Sequence, residues 1–160
     1  MIQVGKATPF KDLQKKEEIT MTLSKLATLH AIVAVVLGLA FSLWGPGLLP
    51  LYGASQIPTP VASDANAISF WAGMAFIRMF GAAFVGFGVL LWFVRYISDL
   101  AIQHQIAGAL FIATGFMVFI TMTQQIALWS TAMGWVTIGV LTLFALGYGY
   151  CFLFAFKKAM

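Results

Sequence analysis

Four long apolar stretches dominate the chain, at about residues 26–44, 68–94, 102–128 and 133–156, and each is closed off by proline, glycine or polar residues. Each comes close to or exceeds the roughly 20 residues that a helix needs to cross about 30 Å of hydrocarbon, where no backbone amide can be left unpaired. The pattern predicts an all-α protein, an integral membrane up-down-up-down four-helix bundle. Pro46, Gly47 and Pro50 end the first span at Trp44, because proline has no amide hydrogen with which to continue a helix. The pieces at 95–99 and 129–132 are short, so the second and third spans, and the third and fourth, form tight antiparallel hairpins.

Residues 1–25 stand apart from the bundle at 26–156 by their charge, and residues 157–160 form a short tail. Thr8 is placed to cap a short helix with Pro9 at its first position and Phe10 and Leu13 three residues apart, which predicts a helix lying at the membrane interface. A solvated tail is the plainer alternative, since Thr20 and Thr22 interrupt the pattern. The first 25 residues are too polar for a cleaved signal peptide, so the first helix is expected to stay. The loop at 45–67, with Pro46, Pro50, Pro58 and Pro60, reads as a cap over the bundle, or as a lid or docking surface.

Charge fixes the expected orientation. Lys6, Lys11, Lys15, Lys16 and Lys25 precede the first span, Arg95 lies between the second and third, and Lys157 and Lys158 follow the fourth, while the two remaining loops hold no Lys or Arg. Positive charge stays on the cytoplasmic side, so both termini and the middle loop are expected there, in a multi-pass protein of a bacterial inner membrane. Trp44, Trp71, Trp129 and Trp135 fall near the opposite face, where indoles favour the headgroup level. The composition agrees: 61% of the 160 residues are hydrophobic and 9% charged, against about 25% charged in a soluble domain. The net charge of +4 collects at helix ends instead of forming a stripe with exposed aromatics, which excludes nucleic acid as a partner. Cys151 is the single cysteine, so neither an intrachain disulfide nor a cysteine-based metal site can form.

Small residues mark the faces on which helices approach in lipid. Gly73, Gly81 and Gly88 form a groove along the second span. His104, Gly108, Phe111, Gly115, Val118, Met122 and Gln125 predict the inward stripe of the third, and Trp135, Gly139, Thr142, Leu146 and Gly149 that of the fourth.

Arg78 is the leading functional candidate, because a charge within a span costs at least a few kcal/mol and needs a partner. No Asp or Glu occurs in any span. Gln124, Gln125, Thr121 and Thr123 in the outer half of the third span are the nearest neutral acceptors, in a purely structural bridge. A partner subunit or anionic lipid, or a transported ligand, are the alternatives. His30 and His104 lie at equal depth from the cytoplasmic edge, as two axial ligands of a haem b or a chlorophyll would, although interfacial hydrogen bonding serves two such histidines equally well. No cofactor or metal is predicted. Ser, His and acidic residues do not converge at one depth, and no phosphate loop is present, so no catalytic residues are assigned.

The spacing Trp44-Gly45-Pro46 with Leu48-Leu49-x-Leu51-Tyr52-Gly53, followed by Arg78-x-x-Gly81, Gly86, Gly88, Trp92 and Arg95, resembles a group of small uncharacterised bacterial four-helix integral membrane proteins. The resemblance covers residues 26 to 98 and implies the fold without any activity. Two functions remain open: a non-enzymatic accessory or structural subunit of a larger membrane complex, with the lipid bilayer and other membrane subunits as partners, or a small binding or transport protein that holds a ligand near Arg78 or a cofactor at His30 and His104.

Overall fold

A computed structural model describes residues 10–53 and 67–155. The expected cap at Thr8 and Pro9, most of the outer loop, and Lys157 and Lys158 lie outside them. Four helices follow in order: α1 (Phe10–Leu48), α2 (Ala67–Val94), α3 (Leu100–Gln124) and α4 (Ala132–Tyr150). All four are long and apolar enough to cross a membrane, and no strand occurs among the described residues.

α1 is longer than its apolar stretch. The polar run from Phe10 is continuous with it, so the segment at 10–25 is the first part of one 39-residue helix and not a separate element. The break expected at Trp44 is present as a kink: Trp44 has φ −128° and ψ 29°. Pro46, two residues on, cannot donate to the carbonyl four residues back, which leaves Trp44 free to leave helical geometry. A short helical run continues beyond it. A 3₁₀ turn at Leu49–Tyr52 then ends at Gly53, whose φ of 88° only glycine adopts freely.

Sequence-local caps explain where α3 and α4 begin. The Asp99 carboxylate accepts from the Ala101 and Ile102 amides at 2.8 and 3.2 Å and starts α3. Thr131 accepts from the Gly134 amide at 3.3 Å and starts α4. Between them the chain widens into a π turn at Gln125–Trp129 and reverses at Ser130, with φ 46°.

The helices pack as two pairs, α1 with α2 and α3 with α4, joined through α1 and α4. The first pair uses the predicted glycine groove in part. A Cβ on Gly88 would lie 2.9 Å from the Ala31 carbonyl, and one on Gly81 2.6 Å from that of Gly38, whereas Gly73 faces open space. In the second pair, glycines receive phenyl rings, Phe152 over Gly108 and Phe111 over Gly149.

The inward stripes of α3 and α4 differ from those expected. Of the stripe expected on the third span Gly108 and Gln125 are buried, and of that on the fourth Gly149; most other buried residues, Gln103, Ala107, Leu110 and Thr114 on α3 and Gly134, Ile138, Ala145 and Tyr148 on α4, lie one position before an expected one. Trp135 and Leu146 are exposed, and Gly115 and Gly139 face open space. Both sides of these helices are apolar, so hydropathy offers little contrast between core and exterior, and glycine was a poor guide where a ring from the neighbouring helix did not seek it.

The core of Leu23, Leu91, Ala107, Leu110, Phe144, Tyr148 and Cys151 sits towards the end that carries Lys25 and Arg95. At the far end, Tyr52 and Thr137 hydrogen bond through their hydroxyls at 3.0 Å and tie the 3₁₀ turn to α4. The exterior is apolar, with Leu43, Ile68, Ile112, Ile126 and Leu143 each largely exposed.

Candidate functional site

His30 lies on the face of α1 that meets α4, among the alanines Ala27, Ala31 and Ala34, whose small side chains let the helices close around it. Its Nδ1 is 3.1 Å from the Tyr148 hydroxyl. Its ring stacks on Phe144 at 4.2 Å between centroids with planes 15° apart, and Phe87 of α2 meets it edge-on at 5.4 Å. Three helices thus converge on one buried imidazole. Tyr148 is 0% exposed and bonded to a residue 118 positions earlier, so this contact joins the two helix pairs. The sequence reading did not single out Tyr148. Its one signal was a position four residues after Phe144, on a shared helix face.

His104 is half-buried and stacks on Phe152 at 4.6 Å, with planes 21° apart. His30 thus sits against Phe144 and Tyr148 of α4, and His104 against Phe152 of the π turn at Cys151–Ala155 that continues it. Each ring has an aromatic ring on one face. An axial ligand presents one ring nitrogen to the metal, and with the Tyr148 hydroxyl beside Nδ1 that nitrogen of His30 would be Nε2. No group of three or more His, Cys, Asp or Glu residues able to hold a metal ion occurs among the described residues.

Arg78 is placed on the outer surface of α2, exposed, with Ala75 and Ala82, also exposed, on the same side of the helix. Its main-chain carbonyl accepts from the Ser42 hydroxyl at 3.2 Å, but its guanidinium has no partner among the described residues. The structure does not bring it to Gln124 or Gln125. Gln125 is buried at the α3 to α4 turn, where its Nε2 donates to the Thr131 carbonyl at 2.8 Å and its Oε1 rests against Gly134 without a donor. Its partner was set by the turn, a local demand stronger than that of a distant cation.

No protein-family model, curated protein or solved structure matches the chain. What the residues can do must be read from their own arrangement. The His30 cluster is closed and aromatic, suited to locking helices together. Arg78, on an open apolar face, is suited to binding something outside the chain.

Proposed function

We propose that the protein is a non-enzymatic accessory subunit of a larger membrane complex, set in a bacterial inner membrane with both termini in the cytoplasm. The observation that carries this reading is the exposed Arg78. It lies eight residues into a segment starting at Phe70, about 12 Å along the helix axis, on a side of α2 that it shares with the exposed Trp71 and Ala75. A guanidinium facing hydrocarbon there costs from about 3 to more than roughly 10 kcal/mol, and a contact on a neighbouring subunit removes that cost. This chain has no carboxylate in any span to do so. Ala75, Ala82 and Gly86 are exposed beside Arg78 and let a neighbouring helix approach closely.

Native gel electrophoresis of membranes solubilised in mild detergent tests the proposal. The wild-type chain should run in an assembly much heavier than its own 17.4 kDa. Arg78→Leu should insert equally well and run as the free chain. An unchanged assembly in Arg78→Leu defeats the reading.

A further inference from the structure

An apolar groove of about 320 Å³ runs along the outside of the α1–α2 seam, with Ile32, Val35 and Val36 on one wall and Val89, Trp92 and Phe93 on the other. Its floor is the close approach of Ala31 and Gly88, where the lack of side-chain bulk leaves the trough. The seam has a constant register: Gly88 meets Ala31, Gly81 meets Gly38, and the Arg78 carbonyl meets Ser42. Moving six residues from Ala31 and six from Gly88 in opposite chain directions brings Lys25 level with Val94 and Arg95. The groove therefore ends between two cations, one on α1 and one in the turn that follows α2.

Neither cation is paired with a carboxylate among the described residues. The Arg95 guanidinium lies 3.8 Å from the Trp92 ring centroid and 4.5 Å from that of Tyr96, and it also contacts the Tyr96 hydroxyl. These rings hold its plane at the mouth of the groove, and its Nε is buried without an acceptor. Of the acids nearest in sequence, Asp99 is occupied by the α3 amides, and Glu18 lies seven residues before Lys25, about 10 Å along the α1 axis.

We infer that this groove binds one anionic phospholipid of the inner leaflet, an acyl chain lying between α1 and α2 and the phosphate between Lys25 and Arg95. The inference rests on the membrane orientation proposed above and not on the accessory role of Arg78. A trough without polar walls suits a hydrocarbon chain, and an arginine with free N–H groups beside a lysine suits a phosphate. The headgroup level is where the Trp92 and Tyr96 rings are expected to sit.

Native mass spectrometry of the purified full chain in detergent, with phosphatidylglycerol or phosphatidylethanolamine added, provides the test. One phosphatidylglycerol should be retained in preference to phosphatidylethanolamine. The double variant Lys25→Gln/Arg95→Gln should lose roughly 25-fold in that preference, about fivefold for each cation near the surface. Lys25→Arg should keep it. Val36→Trp, which fills the trough from an exposed position, should reduce retention of both lipids while circular dichroism shows unchanged helix. Equal retention of the two lipids by the wild type, or a preference that survives the double variant in helical protein, overturns the site. A chain recovered without detergent in the soluble fraction overturns the membrane reading and the site with it.

Discussion

Gly38 of α1 and Gly81 of α2 face each other so closely that a Cβ on either would fall 2.7 or 2.6 Å from the other's carbonyl oxygen. Neither obstacle is a flexible side-chain end, so the helices themselves must separate to admit a methyl group. Gly38→Ala and Gly81→Ala should each destabilise the first helix pair by about 1–3 kcal/mol, the usual cost of overpacking. Gly73 and Gly86 have nothing within 4 Å of a Cβ, and alanine at either should be neutral or stabilising by roughly 0.5–1 kcal/mol. Unfolding of the purified protein by increasing sodium dodecyl sulfate, followed by circular dichroism, separates the two classes. Equal midpoints for Gly81→Ala and Gly86→Ala would show that the seam is not close-packed.

Ser130 holds φ 46° and ψ 31° at the turn between α3 and α4, the only non-glycine residue with positive φ among those described. The left-handed region crowds a Cβ against the following carbonyl, and glycine is free of that cost. Ser130→Gly should therefore raise the same unfolding midpoint, by roughly 0.5–1 kcal/mol after the entropy of glycine is subtracted. Ser130→Val should lower it, since a branched side chain is worse still at positive φ.

The helices were legible in the sequence because span length and breakers are local properties. Trp44 marks the kink two residues before Pro46, and Asp99 and the 131 position cap α3 and α4 as short-range chemistry dictates. What each helix faces was less legible. Gly81 and Gly88 disclosed the α1–α2 seam because small residues on both helices meet there, but of the faces expected on the third and fourth spans only Gly108, Gln125 and Gly149 are buried, and most of the other buried residues lie one position earlier. In those helices the exterior is as apolar as the core. Arg78 was expected to find Gln124 or Gln125, and instead Gln125 serves the Thr131 carbonyl while Arg78 points outward. The pairing of Tyr148 with His30 spans 118 residues, and no local pattern encodes a contact of that separation.

Both termini are expected in the cytoplasm, since the loop-borne Lys and Arg residues would otherwise all have to be translocated. An alkaline phosphatase fusion at Met160 should be inactive and a cytoplasmic reporter there active. Leu51→Cys, exposed in the structure, should react in intact cells with a maleimide that cannot cross the membrane, whereas the buried Cys151 should not. Strong phosphatase activity at Met160 would reverse the topology and move Lys25 and Arg95 to the outer leaflet.

The His30 to Tyr148 hydrogen bond is expected to hold the two helix pairs together, and not to serve a cofactor. Tyr148→Phe keeps the ring and its packing but leaves His30 Nδ1 without its partner in an aromatic pocket. The loss should lie between about 0.6 kcal/mol, typical of hydrogen bonds measured within membranes, and the roughly 1–3 kcal/mol of an unsatisfied buried group. His30→Phe should cost a similar amount. The double variant should lose less than the sum of the two, because once both polar groups are gone nothing is left unpaired. Strict additivity in sodium dodecyl sulfate unfolding would mean that the bond contributes nothing. The same protein preparation answers the cofactor question: with Phe144 stacked on His30 and Phe152 on His104, its reduced-minus-oxidised spectrum should be featureless. A stoichiometric b-type band, abolished in both His30→Ala and His104→Ala, would instead make the two imidazoles axial ligands and turn the aromatic edge of α4 into the wall of a haem pocket.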